Sequence, residues 1–170
     1  RQVDQEHALA VALTGNAARA VALLEPLASE AQPDGTRQGA LRHLATARRL
    51  NGDTAGAAAA IAQALALLDV LNAQPYPSTA HRLGRADALR EAGHIALARG
   101  DAGEAEECFT AAIAQLRAVQ ATPTPALADA QAGLARAQAE AGNAQAGPGN
   151  APARAGLAPD AHASTQLPPR

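Results

Sequence analysis

The chain has 170 residues, of which 48% are apolar and only 1% aromatic. Its formal net charge is −2 and its isoelectric point is near 6.2, so no overall positive field draws it to nucleic acid. A single cysteine, Cys108, excludes an internal disulfide framework, and its place beside Phe109 on an apolar stripe predicts a buried, unreactive thiol.

No uninterrupted apolar run approaches the roughly 18 residues that cross a membrane, so we expect no membrane span. Asp4 and Glu6 precede the first short apolar stretch, which is the wrong flank for a signal peptide, and we expect a cytoplasmic protein. Arginine takes the place of lysine throughout, and alanine is abundant, which is typical of a GC-rich bacterial genome. The chain begins at Arg1 inside a predicted helix, and we interpret it as a fragment of a longer protein.

Four Gly-Asp or Gly-Asn joints divide the chain into alanine-rich stretches. Glycine reaches the left-handed conformation that closes one helix, and the Asp or Asn that follows caps the free N–H groups of the next helix. Proline-containing breaks alternate with these joints, which predicts a stack of helical hairpins. The joints are Gly15-Asn16, Gly52-Asp53, Gly100-Asp101 and Gly142-Asn143, and the breaks are Pro33-Asp34-Gly35, Pro75-Tyr76-Pro77 and Pro123-Thr124-Pro125.

The first predicted hairpin has Ala8 and Val11 before its joint and Ala20 and Leu24 after it. Pro26 falls inside the second helix of this hairpin and is expected to kink or shorten it. The second hairpin repeats the layout at helical spacing, with Leu41, Leu44 and Ala45 before its joint and Ala57, Ile61, Ala64, Leu65, Leu68 and Leu71 after it.

The third hairpin, over residues 78–121, has the clearest pattern. Ser78 or Thr79 can cap its first helix, and Asp101 caps the second helix, with Glu104 three residues later in a capping-box arrangement. Its stripes carry Leu83, Ala86, Leu89, Ala92, Gly93 and Ala96 in the first helix and Ala105, Cys108, Phe109, Ala112, Ile113, Leu116 and Val119 in the second.

A last helix is predicted over about residues 124–141. Thr124 caps it, and Pro125 occupies the first turn, where a helix tolerates proline best. We expect this helix to end at Gly142-Asn143 and to act as a solvating cap on the stack. The Pro- and Gly-rich remainder cannot bury enough apolar surface to offset chain entropy, so a disordered tail is expected. The predicted domains are therefore 1–143, a helical repeat domain of about three hairpins plus a capping helix, and 144–170, the tail.

The spacing of the third hairpin resembles that of the tetratricopeptide repeat (TPR). In that family a small residue lies midway along the first helix, an alanine early in the second helix and an aromatic residue one turn later; Gly93, Ala105 and Phe109 match these places. Two positions depart from the family's pattern, since Leu89 and Ala96 replace its Trp and Tyr. The joints are also farther apart than the usual period of about 34 residues. The resemblance implies an all-α fold, a right-handed superhelical stack of antiparallel helical hairpins whose first helices line a concave groove.

The charge pattern assigns a sign to that groove. The predicted first helices are rich in arginine, whereas the second helix of the third hairpin carries four acids. If the first helices line the groove, the groove is positive and the outer wall negative. Arginine forks suit carboxylates. The candidate groove residues are Arg42, Thr46, Arg49, Arg90, His94 and Leu97; the alternative is that these are ordinary solvated helix charges.

We find no catalytic or metal-binding pattern. The five histidines lie at no metal spacing with carboxylates, and no serine sits in a nucleophile-elbow setting. The sequence therefore predicts a non-enzymatic module that needs no cofactor and no metal and that binds a protein or peptide partner, acidic or carboxylate-ended, in its groove.

Two alternatives stay open. The chain resembles the C-terminal regulatory TPR regions of larger bacterial enzymes such as eukaryotic-type serine/threonine protein kinases, or those of transcriptional regulators. A self-assembling scaffold is the other possibility.

Overall fold

The computed structural model describes residues 2–29, 34–120 and 122–145. Within these ranges 83% of the residues are helical and no strand is present, so the predicted all-α fold is confirmed. The helices are α1 (Gln2–Leu13), α2 (Ala17–Leu24), α3 (Asp34–Leu50), α4 (Thr54–Asn72), α5 (Thr79–Arg99), α6 (Ala102–Val119) and α7 (Pro125–Gln145). The predicted tail lies mostly outside the described residues.

Three of the four predicted joints are confirmed. Gly15, Gly52 and Gly100 have φ values of 95°, 81° and 78°, in the left-handed region that favours glycine. The residue after each glycine caps the next helix, since the side chains of Asn16, Asp53 and Asp101 accept hydrogen bonds from the N–H groups of Arg19, Gly56 and Glu104.

The fourth joint is wrong, because α7 continues through Gly142 to Gln145. Glycine can also adopt helical backbone angles, and a Gly-Asn pair needs a second helix after it to become a joint. The capping box at Asp101 is also only half formed. The Glu104 carboxylate pairs with Arg99 at 3.4 Å, and the N–H of Asp101 donates to the carbonyl of Ala96.

The proline breaks act as predicted where the structure describes them. The helix α2 ends at Leu24, two residues before Pro26, and is only eight residues long. Ser78 caps α5 by accepting from the N–H of His81 at 3.1 Å. Thr124 accepts from the N–H of Leu127 at 3.2 Å, and α7 starts at Pro125. These local signals fix where α5 and α7 begin.

The helices pack as antiparallel hairpins in chain order, α1 with α2, α3 with α4 and α5 with α6, and α7 packs on α6. The first helices of successive hairpins also touch, so that α1, α3, α5 and α7 form one layer; among the described residues the second helices α2, α4 and α6 make no contact with one another. This difference opens a groove on the face of the first helices. Two apolar clusters fill the interior, one over α1–α5 and the other over α5–α7.

The expectation about membrane spans requires a correction at α4. This helix has 19 residues, and an 18-residue window of it has a mean hydropathy of 1.7, so by length and composition it could cross a membrane. Gln63 and Asp69 interrupt its apolar run in the sequence, whereas the mean hydropathy averages over the window. Core helices of globular proteins meet the same criterion. In this fold 28% of that window is buried, including Ile61 and Leu68, which belong to the cluster shared with α3 and α5.

Candidate protein-binding groove

A cavity of about 430 Å³ lies on the face formed by the first helices. One apolar wall is formed by Leu9 and Leu13 of α1, and Leu13 is 66% exposed. The other wall is polar and comes from three helices. Its residues are Arg42, His43, Thr46 and Arg49 of α3, Asp87, Arg90, Glu91 and His94 of α5, and Asp129 of α7.

Five of the six predicted groove residues line this cavity: Arg42, Thr46, Arg49, Arg90 and His94. Leu97 does not, and its placement in the groove was wrong. It is 6% exposed and belongs to the core cluster of α5, α6 and α7. Helical spacing puts Leu97 near the face of His94, but neighbouring helices cover that part of α5, which the spacing alone does not show.

Each of the three groove arginines has an acidic partner on the next first helix. Arg42 of α3 pairs with Asp87 of α5 at 3.3 Å. Arg49 holds Glu91 with two bonds, from Nε at 2.6 Å and from Nη2 at 3.4 Å. Arg90 of α5 pairs with Asp129 of α7 at 2.6 Å. These ion pairs join α3 to α5 and α5 to α7 along the groove.

The predicted positive field of the groove is therefore wrong. The cavity wall carries three arginines and three carboxylates, so with neutral histidines its charges balance. Other arginines of the first helices point towards the second helices instead. Arg48 pairs with Glu25 at 3.1 Å, and Arg85 pairs with Asp69 at 2.6 Å. A count of the charges along one helix does not show which acid of another helix each arginine meets.

Burial and ion pairing both shift pKa values in the groove. Burial lowers the pKa of Arg42, with the nearby Arg90 adding to this effect and Asp87 opposing it. Burial raises the pKa of the Asp129 carboxyl, but hydrogen bonds and charges from His94 and Arg90 outweigh it and leave that pKa lowered. Asp129 therefore keeps its charge, and the ion pair with Arg90 persists at neutral pH.

His94 is held from two sides. Its Nε2 lies 3.0 Å from Oδ2 of Asp129, and its ring meets the ring of Phe109 edge-on with the centroids 5.0 Å apart. This histidine links the groove to the core behind it. Its neighbour along the cavity, His43, has a buried Nδ1 without a hydrogen-bond partner.

The sequence analysis missed the carboxylates of the groove. Asp87 and Glu91 are one turn apart on α5, and Arg42 and Arg49 are two turns apart on α3. The spacing shows that each pair lies on one face of its helix, but only the fold shows that the two faces meet.

Cys108 also differs from prediction. It is half-buried, and burial together with Glu104, Glu107 and Asp101 raises the pKa of its thiol.

Within the described residues, no group of three His, Cys, Asp or Glu side chains is placed to hold a metal ion. The polar wall of the groove consists of three ion pairs and of the side chains of His43, Thr46 and His94. Such a wall can bind a polypeptide segment by shape and hydrogen bonding.

Comparison with known proteins finds no matching family model and no matching curated protein. Among solved structures, the chain is similar to a protein from Podosopora anserina described as a kinesin light chain with nearly identical TPR-like repeats. The TM-score is 0.41 at 20% identity, over 85% of this chain and 88% of that chain. A single-substitution variant of the same protein matches with the same values.

Proposed function

We propose that this chain is a protein-interaction module that binds a segment of a partner protein in the groove between α1, α3, α5 and α7. The observation that carries the proposal is the cavity of about 430 Å³, into which α3 and α5 direct Arg42, Arg49, Arg90 and His94 opposite the exposed Leu13. A groove with an apolar wall and a polar wall offers both contact area and orientation to a polypeptide.

The partner segment in this proposal carries an acidic side chain or a free carboxylate. Each guanidinium has five N–H donors in a planar fork. The ion pair of Arg42 uses one of them, and those of Arg49 and Arg90 use two each. A partner carboxylate would therefore join an existing network rather than fill a positive pocket. Because the charges of the groove wall balance, we expect the partner carboxylate to contribute more to specificity than to long-range electrostatic attraction.

The experiment begins with a pull-down from lysate of the source organism, followed by an affinity measurement on the captured partner. The test variant changes Arg42, Arg49 and Arg90 to Ala. The matched control changes Arg48, Arg85 and Arg99 to Ala. These three arginines also form ion pairs but lie outside the cavity. We expect the test variant to bind at least about tenfold more weakly, and added salt to weaken wild-type binding. Equal affinities of test and control variants would contradict the role of the groove.

The place of this module in a larger protein is also a proposal. We propose that the module lies in the cytoplasm of a bacterium. Its parent protein would be an enzyme such as a serine/threonine kinase, or a transcriptional regulator, and would use the groove for regulation. The coding sequence upstream of Arg1 tests this directly. A kinase Gly-rich loop and H-R-D motif would support the kinase, and a DNA-binding motif would support the regulator.

A further inference from the structure

A second cavity, of about 330 Å³, lies near the starts of α1, α3 and α5. It shares Arg42 and His43 with the groove cavity, so the two cavities adjoin. We call it the α1 cavity. Its other lining residues include Gln5 and Glu6 of α1, Thr36, Gln38 and Gly39 of α3, and His81 of α5.

Two glutamines bring amide oxygens without a protein partner to the α1 cavity. Gln5 is 6% exposed, and a hydrogen bond from its Nε2 to the carbonyl of Thr36 at 3.1 Å orients its amide. Among the described residues its Oε1, which lies beside the backbone of Gly39, has no donor. Gln38 repeats the arrangement on α3, since its Nε2 donates to the carbonyl of Gly35 at 3.2 Å and its buried Oε1 has no partner in the described chain. Because a buried acceptor without a donor costs free energy, these oxygens favour a ligand that carries N–H groups.

The charges of the α1 cavity favour a cation. Glu6 is exposed, lines the cavity and forms no ion pair within the described part of the chain. Arg42 is already paired with Asp87 at 3.3 Å. Burial, reinforced by the charge of Arg42, lowers the pKa of His43, so this ring is neutral at neutral pH and adds no positive charge. The carboxylate of Glu6 is therefore left without a counter-ion.

We propose that the α1 cavity binds a primary ammonium group, carried by a lysine side chain of the groove partner or by a free amine. An ammonium has three N–H donors and one positive charge. The cavity offers the carboxylate of Glu6 together with the amide oxygens of Gln5 and Gln38. A compact ammonium suits acceptors spread over two helices better than the planar fork of a guanidinium does. Only the lysine source rests on the proposed function of the groove.

A lysine of the partner would lie at a defined distance from the acidic residue of the same segment. Glu6 and Leu13 are seven residues apart on α1, which is about 10 Å along the helix axis. Leu13 lines the groove cavity together with Arg49 and Arg90. An extended chain advances about 3.3 Å per residue, so about three residues separate the lysine from the acid in the partner segment.

A nuclear magnetic resonance titration of the full 170-residue chain with n-butylammonium tests the site without any partner. We expect saturable shifts of the backbone amide signals of Gln5, Glu6, Thr36 and Gly39, with a Kd on the order of millimolar. Tetramethylammonium has the same charge but no N–H donor, and it should bind at least about tenfold more weakly. Equal binding of the two cations, or no saturable shift with n-butylammonium, would overturn the proposal.

A pair of matched variants tests the role of the carboxylate. Glu6→Gln removes the charge at an exposed position and keeps the size of the side chain, so the variant should fold. We expect it to bind n-butylammonium at least about tenfold more weakly than wild type. The control is Glu107→Gln, at another exposed glutamate that forms no ion pair within the described residues, and it should bind as wild type does. Equal affinities of the two variants would exclude Glu6 and overturn the site.

The partner captured by the groove distinguishes the two sources of the ammonium. If a lysine of the partner supplies it, Glu6→Gln weakens partner binding at least about tenfold, whereas Glu107→Gln leaves it unchanged. If a free amine supplies it, the two variants bind the partner equally and differ only towards n-butylammonium. Failure of the groove arginine test with n-butylammonium still bound would contradict the proposed function and support the α1 cavity as an amine site.

Discussion

The ring of Phe109 lies directly against the backbone of Gly93. A Cβ atom added to Gly93 would be 2.8 Å from two carbons of that ring, closer than real Cβ atoms approach. On its other side the ring lies still closer to Gly133 of α7. Phe109 is fully buried, so two glycines let one aromatic side chain from α6 pack between α5 and α7.

We expect Gly93→Ala to destabilise the protein by about 1–3 kcal/mol, because the added methyl group meets a ring that is fixed on both sides. This loss outweighs the gain of up to about 1 kcal/mol that alanine brings to a helix interior. Chemical denaturation followed by circular dichroism measures the change. The control is Gly103→Ala in α6, where the nearest atom is 3.7 Å away and no loss is expected. A more stable Gly93→Ala variant would contradict this packing.

Phe109→Ala should cost about 3–5 kcal/mol, since it removes the largest fully buried side chain and leaves a cavity between α5, α6 and α7. Phe109→Leu fills part of that space and should cost less. In the Phe109→Leu background Gly93→Ala should lose most of its penalty, because its methyl group no longer meets the ring. Additive effects of these two substitutions would show that the residues do not interact.

Much of the fold could be predicted because its signals are local. A left-handed glycine followed by an N-cap is specified within a few residues, and the joints at Gly15, Gly52 and Gly100 form as predicted. The close fit of Phe109 against Gly93 is what the resemblance to the tetratricopeptide repeat implies, since these residues match its aromatic and small positions. The joint at Gly142 fails because nothing in the described residues packs after it. A local signal of this kind depends on the element that follows.

The groove could be predicted only in part. Its position on the first helices is what the resemblance to the tetratricopeptide repeat implies, and five of the six proposed residues line it. Its charge balance could not be predicted, because each arginine pairs with an acid about 40 residues away on another helix, as Arg49 does with Glu91. The burial of Leu97 was missed for the same reason: it depends on packing between distant segments.

The pair of Arg49 and Glu91 predicts a test of this charge balance. Glu91 is 8% exposed, so Arg49→Met leaves a nearly buried carboxylate without its main partner. We expect a loss of about 1–3 kcal/mol, less than for a fully buried pair because Arg49 is partly exposed. Replacing both residues by Met should recover most of the stability. The control is Arg99→Met, whose pair with Glu104 is exposed and should contribute about 1 kcal/mol or less.

If Arg49→Met and Arg99→Met lowered stability equally, the Arg49–Glu91 pair would be no more than a surface ion pair. A double Met variant no more stable than Arg49→Met would show that the cost comes from lost packing. Either result can be read from denaturation midpoints measured at one pH and salt concentration.

His43 predicts how stability varies with pH. Burial, reinforced by the charge of Arg42, lowers the pKa of its imidazole, while Glu6 and Asp87 oppose this shift. In the unfolded chain the pKa returns to its usual value near 6.5, so as the pH falls the unfolded state takes up this proton first. The stabilisation is therefore present above about pH 6.5 and is lost as the pH falls below it. A protonated ring would also place an N–H group at the buried Nδ1, which has no acceptor.

We expect the free energy of unfolding of His43→Gln to fall less than that of wild type between about pH 7 and pH 5. Urea denaturation at stepped pH values measures both slopes, with Thr46→Val, a groove residue that does not titrate, as the control. Equal slopes for wild type and His43→Gln would exclude this histidine as the source of the pH dependence.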